Sequence, residues 1–405
     1  MGRKKVDGRK TRYRNKILGI IRNNEPVSRF DVKKISSYSM TTTLSMIDEM
    51  LADGYIVESG VGESSGGRRP TWLKINPAGG YFLGVDFNAN YVYSAIIDLG
   101  GDIIYTDTIK VPNDLNTTTS ILLLIKESIR KMLSTLDADA RIFGIGLGIP
   151  GYVDVQKGIT LDYAFIRDWS NVHLREEMEK EFRPEIFVEN NVNGMALAYK
   201  WIENGGLCGT LALLSVRTGV RLSAVVRNHL IRGAGNAAGE IDHIKLSGSD
   251  RLCSCGKRGC VVSEASNSAI LSKVMEGLLA GRYQAVADYI GNDLSKLNMD
   301  ALIQLYMDGD EEVRGLVIET AGYISEVLAL IIALYNPEKL VISTDFIESG
   351  NEFLEMIKNN LKNLSNSHHL QPLSVEYAKY GAYIGAIGAA CLVMQKTIFF
   401  TDLIE

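Results

Sequence analysis

The stretch YFLGVDFNANYVYSAIIDLGGDIIYTDTIKV, residues 81–111, decides the fold. It is rich in β-branched and aromatic residues and is broken twice, at Asn88–Asn90 and at Gly100–Gly101. It therefore reads as three strands joined by tight turns. A helical stretch follows at about 118–136, then the apolar strand FGIGLGI (143–149) and the turn Pro150-Gly151. Strand EIFVEN (185–190) and a helix from Asn191 to about Asn204 complete the run. After Gly205 and Gly206 the same order begins again. TLALLSV (210–216), LSAVVRN (222–228) and HLIRGA (229–234) read as strands. Long helices, the strand KLVIST (339–344) and a last helix around 382–394 come after them. A meander followed by alternating helices and strands, present twice, predicts an α/β protein with a duplicated ribonuclease H-like, actin-like, two-lobed domain. Two-lobed domains of this kind close on a ligand held between their halves.

Upstream of this body the pattern changes. Ile17, Ile20 and Ile21 recur at helical spacing, so residues 13–23 predict an amphipathic helix. In EPVSRFDVKKI (25–35), Ser28 and Asp31 form a capping-box start, and Val32 and Ile35 supply an apolar face. Ser39 is placed to cap a third helix, with Leu44, Ile47 and Leu51 inward and Gly54 at its end. Tyr55–Val57 and Thr71–Lys74 read as two strands across a Gly/Ser-rich loop. Three short helices and a two-stranded wing make an N-terminal winged helix-turn-helix. Candidate DNA contacts are Arg29, Ser39, Met40, Thr41, Thr42 and Ser45, together with Arg68 and Arg69 in the wing tip SSGGRRP (64–70). Small polar groups on a third helix approach base edges and phosphates in the major groove, and arginines on a glycine-rich loop suit the minor groove. A trihelical unit can also serve protein contacts. The expected domains are residues 1–78 for the winged module, 79–200 for the first lobe and 201–405 for the second.

Charge supports the same division. Residues 1–80 carry 15 Lys and Arg against 8 Asp and Glu, whereas the remaining residues carry 28 against 40. A basic module on an acidic body implies that only the module meets a polyanion, double-stranded operator DNA. The basic start MGRKKVDGRKTRYRNK has no apolar segment after it, and no run of 18 apolar residues exists, so the sequence predicts neither a secretory signal nor a membrane span. A cytoplasmic location and no membrane partner are the expectation.

Three of five cysteines cluster at Cys253, Cys255 and Cys260, and His243 lies ten residues upstream. Three thiolates and one imidazole make a closed tetrahedral set for a structural zinc ion. Gly256 and Gly259 let so short a loop wrap an ion. Three buried structural thiols are the alternative.

With these motifs in place, the chain resembles the ROK (repressor, open reading frame, kinase) family. The likeness is most specific at GAGNAAGEIDH (233–243) and CSCGKRGC (253–260), and the GRRP wing is the arrangement of its repressor branch, that of xylose and N-acetylglucosamine repressors. The resemblance implies a structural zinc beside a sugar pocket and sugar contacts at Asn190, Asn191, Glu240 and His243, with the loop GIPG (148–151) lining the pocket. Trp169 is either an apolar wall for the sugar or a plain core residue. The family's glutamate two residues past the last zinc cysteine is replaced here by Val262.

The departures concentrate where kinases of the family transfer phosphate. The general-base aspartate is Asn191, and an amide has no basic site near neutral pH. The first glycine-rich phosphate loop is Asp86-Phe87-Asn88-Ala89-Asn90, the second is Arg217-Thr218-Gly219-Val220-Arg221-Leu222-Ser223, and an adenosine-side Gly-Gly is Ser343-Thr344. The expected protein has no catalytic residue. It is a sugar-responsive transcriptional repressor of carbohydrate-utilisation genes, taking a sugar or sugar phosphate as effector and acting as a homodimer, or as a tetramer of paired dimers. The long helix near 312–335 is the candidate dimer contact. Two competing readings are a sugar kinase with an added DNA-binding arm and a DNA-binding regulator with a vestigial pocket.

Overall fold

The computed structural model describes residues 8–61, 71–112, 116–206 and 208–398. The chain forms two compact units, Met1–Leu207 with Tyr380–Glu405, and Cys208–Lys379.

Unit 1 opens with α1 (Gly8–Asn24), β1 (Val27–Ser28), α2 (Arg29–Ser36), α3 (Met40–Ala52), β2 (Ile56–Val61) and β3 (Thr71–Ile75). The strands pair in the order β1-β3-β2, which gives the winged helix. Both expected caps form: the Asp31 amide donates to Ser28 Oγ at 3.2 Å and the Thr42 amide to Ser39 Oγ at 3.1 Å. Two expectations for the core face fail. Ile35 is exposed, and α3 turns Thr43, Met46, Ile47 and Met50 inward while Leu44 and Leu51 stay half-buried. The i, i+3, i+4, i+7 spacing is kept but shifted by one residue, because Thr43 satisfies its hydroxyl on the Ser39 carbonyl at 3.0 Å and can be buried.

The rest of unit 1 comprises β4 (Tyr81–Phe87), β5 (Tyr91–Asp98), β6 (Ile103–Lys110), α4 (Thr118–Ser134), β7 (Ile142–Ile149), β8 (Tyr152–Asp154), β9 (Ile159–Asp162), β10 (Ser170–Val172), α5 (Leu174–Glu179), β11 (Ile186–Asn190) and α6 (Asn191–Ala198). The main sheet runs β11-β7-β4-β5-β6, with β4 antiparallel to β5 and parallel to β7. Strands β8–β10 form a small separate sheet that the sequence pattern does not announce. The C-terminal helix Ile384–Thr397, expected at the end of the second lobe, groups with unit 1 and packs on β4, β7 and α6. Gly84 and Gly146 make this possible: a Cβ on either would collide with the backbone of Ala386 or Ala389.

Unit 2 comprises β12 (Thr210–Val216), β13 (Val220–Val226), β14 (His229–Leu230), α7 (Val261–Ala265), α8 (Asn267–Leu279), α9 (Gln284–Tyr289), α10 (Met299–Met307), α11 (Glu311–Tyr335), β15 (Lys339–Thr344), α12 (Glu352–Leu364), α13 (Ser367–Leu370) and β16 (Ser374–Tyr377). Its sheet order, β14-β13-β12-β15-β16, repeats that of unit 1 strand for strand, including the switch from antiparallel to parallel pairing at the central strand. This is the duplication read from the meanders. The third strand is shorter than expected, because the chain leaves the sheet at Leu230 and loops towards the cysteine cluster. Helix α11 is long and apolar enough to cross a membrane, unlike the expectation from unbroken apolar runs. More than half of its apolar window is buried within the protein, as in a core helix.

Candidate functional site

The winged module places Met40, Thr41 and Ser45 on the exposed face of α3, opposite the buried face, with Ser39 exposed at its cap and Thr42 half-buried beside it. The Ser39 and Thr42 hydroxyls are 2.8 Å apart, which fixes the first turn. The Arg29 guanidinium pairs with Asp48, and at 3.5 Å with Glu58. Arg68 and Arg69 lie outside the described residues.

The four expected metal ligands come together in unit 2. One donor atom each of His243, Cys253, Cys255 and Cys260 lies within 4.8 Å of every other. His243 Nδ1 is 3.6 Å from Cys253 Sγ, and Cys255 Sγ is 3.7 Å from Cys260 Sγ. Tetrahedral zinc with bonds of about 2.3 Å to sulfur requires sulfur pairs about 3.8 Å apart, so the cage has the right size. The loop is shaped by the Cys253 amide donating to the Lys257 carbonyl and the Gly256 amide to the Cys253 carbonyl. Gly259 has φ +77°, and a Cβ there would strike the Ser249 carbonyl. A backbone hydrogen bond from Lys257 lowers the Cys255 thiol, which favours the ligating thiolate. Burial and the neighbouring thiols push Cys260 up to about 12. These residues could hold a metal ion.

The residues implied for sugar contact divide between the units. In unit 1, Asn190 caps α6: its Oδ1 accepts from the Val192 amide at 2.9 Å, and its Nδ2 donates to the Gly151 carbonyl at 3.0 Å. That bond ties the helix start to the GIPG loop. Asn191 follows, half-buried, and a Cβ on Gly148 would lie 3.4 Å from the Asn191 Cβ. Trp169 is a core residue, 2% exposed, donating to Thr160 Oγ1 at 2.8 Å, with its ring 5.2 Å from that of Phe87.

In unit 2, Glu240 and His243 stand on the loop between β14 and the cysteines. Glu240 has a partner that sequence reasoning missed. Arg221 pairs with it through Oε1, and reaches Asp242 at 3.5 Å. Burial pushes the Glu240 carboxyl up to about 7, against the opposing effect of the Arg221 guanidinium. Its Oε2 is buried and makes no hydrogen bond among the described residues.

The turns at Asn88–Asn90 and Arg217–Arg221 are each tied by a side chain. Asn88 Oδ1 accepts from the amides of Asn90 at 2.8 Å and Tyr91 at 2.9 Å. Asp242 Oδ1 accepts from the Val220 amide at 2.6 Å. In the second turn the accepting group is a carboxylate.

Known proteins resemble the chain along its length. A profile of the ROK family matches residues 82–396. The xylose repressor of Caldicellulosiruptor bescii is 29% identical over 391 residues, covering 95% of this chain and 96% of that protein. The crystal structure of a ROK family transcriptional regulator, a homologue of the Escherichia coli Mlc protein, superposes with a TM-score of 0.80 at 23% identity and covers 97% of both chains. A ROK glucokinase from Streptomyces griseus superposes with a TM-score of 0.67 at 23% identity, covering all of that chain but 78% of this one.

Proposed function

The chain belongs to the ROK family, and we propose that it is a DNA-binding transcriptional repressor of carbohydrate-utilisation genes, controlled by a sugar or sugar derivative bound in a kinase-like body without kinase activity. The observation that carries this reading is the winged module, in which α3 keeps Met40, Thr41 and Ser45 outward. The glucokinase neighbour matches only 78% of this chain, whereas the regulator neighbour matches 97%. Loss of the base at Asn191 and closure of both turns by Asn88 and Asp242 oppose phosphoryl transfer.

Sugar hydroxyls both donate and accept. In unit 2 Glu240 Oε2 and His243 Nε2 suit them, and in unit 1 so does the Asn191 amide. His243 points Nδ1 at the thiol cluster, which leaves Nε2 free for a hydroxyl. His243, Cys253, Cys255 and Cys260 would hold a structural zinc, which when bound crosslinks the loop carrying Glu240 and His243. The protein acts as a homodimer, for which the exposed Leu330 and Leu334, one turn apart on α11, are the candidate contact.

The name of the Caldicellulosiruptor relative makes D-xylose the first effector to test. A thermal-shift screen of the full chain against D-xylose, other monosaccharides, disaccharides and their phosphates tests the effector. A ligand at about 100 times its dissociation constant adds about 2.7 kcal/mol. An unmoved melting temperature across the panel would contradict sugar control.

A further inference from the structure

We propose that Arg22 and Trp201 form the joint through which the sugar-contact end of α6 positions the DNA-binding module. The inference rests on the reading of Asn190 and Asn191 as effector contacts.

Helix α6 starts at those two asparagines, and Val192–Ala198 are all buried, so a displacement at the start has no slack to absorb it. The helix then changes character, running as a π-helical turn at Tyr199–Glu203. Single π turns mark places where a helix is re-aimed for function. Here the turn presents Lys200 and Trp201, 0% and 3% exposed, to the C-terminal helix. Lys200 Nζ and Trp201 Nε1 both donate to Gln395 Oε1, at 3.2 and 3.1 Å.

Trp201 also meets the DNA-binding module. Arg22, in the last turn of α1, donates from Nη2 to the Trp201 carbonyl at 3.0 Å, and its guanidinium lies 5.6 Å from the Trp201 ring centroid. Its Nη1 reaches Met394 Sδ at 3.6 Å. Glycines make the room: a Cβ on Gly101 would lie 2.8 Å from Arg22 Nη2, and one on Gly206 would run into the Trp201 ring. α1 also packs against α2 and α3 and buries Ile17, Leu18 and Ile21, so the pose of Arg22 bears on the pose of α3.

The module is held at a second point. Arg141, next to the start of β7, lies 4.5 Å from the Tyr55 ring centroid and donates to the Asp53 carbonyl at 3.0 Å. The Tyr55 ring stacks on Phe143 at 6.1 Å. One attachment therefore comes from the sheet and the other from the end of the effector helix. A shift of α6 against the sheet turns the module about Tyr55. Arg22 and Trp201 are positioning residues: they act on DNA through α3.

The test uses the full chain, a duplex it selects from a random-sequence pool, D-xylose, and hydrogen–deuterium exchange. Linkage is reciprocal, so duplex binding must alter exchange at 190–206 even without sugar. Arg22→Gln removes both the cation and the bond to the carbonyl. Arg22→Lys keeps a cation and a point donor but loses the planar fork. In wild type the duplex changes uptake across 190–206, and D-xylose weakens duplex binding by about 5–150-fold. In Arg22→Gln both effects fall below about twofold, while duplex and sugar affinities measured singly stay within about threefold of wild type. Arg22→Lys restores part of the coupling, which a merely structural role would not predict. Wild-type coupling retained in Arg22→Gln overturns the joint, and so does a wild-type duplex complex with unchanged exchange at 190–206. If the duplex alters 190–206 but no sugar alters duplex affinity, the joint stands and the effector reading fails. A chain that selects no duplex overturns both.

Discussion

Replacing Arg221 with methionine tests the electrostatics of the effector residues. The side chains of Arg221, Glu240 and Asp242 are only 20%, 14% and 13% exposed. Breaking a buried pair by removing one partner costs about 3–5 kcal/mol. The lower end applies here, because Asp242 keeps the Val220 amide. Unit 2 has about 170 residues, for which 1 kcal/mol moves the melting temperature by roughly 2–4 °C, so Arg221→Met should lower its transition by roughly 6–12 °C at pH 8. The loss must depend on pH. Glu240 is raised from 4.5 to about 7 on folding, so the folded state binds its proton more tightly and stability falls as pH rises through that window. Between pH 6 and pH 8 the wild type loses about 1.4 kcal/mol on this account. In the variant the folded carboxyl is raised further and the same interval costs up to about 2.7 kcal/mol. The deficit of the variant at pH 6 is therefore about half of that at pH 8. Scanning calorimetry of wild type and Arg221→Met at the two pH values reads this directly. Equal shifts at both, or no shift, would refute the Arg221–Glu240 assignment.

Cys255→Ser should reduce bound zinc from one ion per chain to none by elemental analysis and lower the unit 2 transition, whereas full zinc content in that variant would remove Cys255 from the cage. Arg68→Ala or Arg69→Ala should weaken duplex binding and lower the slope of its salt dependence by about one, the value for a single phosphate no longer neutralised, and an unchanged slope would take the wing off the DNA. Asn191→Asp should leave ATP-dependent sugar phosphorylation at background, because Asn88 and Asp242 still close both turns. Measurable turnover in that variant would contradict the account of the loops.

The sequence showed those parts of the molecule whose determinants are local. Two meanders announced themselves by alternating apolar residues and by turn residues at Asn88–Asn90 and Gly100–Gly101, and both five-stranded sheets carry the shared order that follows. The caps at Ser28 and Ser39 were legible because a side-chain oxygen three residues before an amide is a local pattern. The inward face of α3 was misread because leucine outranks threonine in hydrophobicity, while burial of Thr43 depends on its bond to the Ser39 carbonyl. Strands β8–β10 are three or four residues long, below what periodicity can register. The cysteine spacing predicted a cluster and the structure closes one, since a short glycine-bearing loop leaves few alternatives. Arg221 with Glu240, and Arg22 with Trp201, meet across 19 and 179 residues, and no local signal could pair them.

We propose that a sugar controls the DNA affinity of this protein. The most direct test is fluorescence anisotropy of the full chain on a duplex it has itself selected, titrated with D-xylose and then with whichever sugar raises the melting temperature most. Tight binding to that duplex and a change in affinity of about 5–150-fold at saturating effector are expected. Binding that stays identical at every concentration of every sugar that the protein demonstrably holds would contradict the proposal.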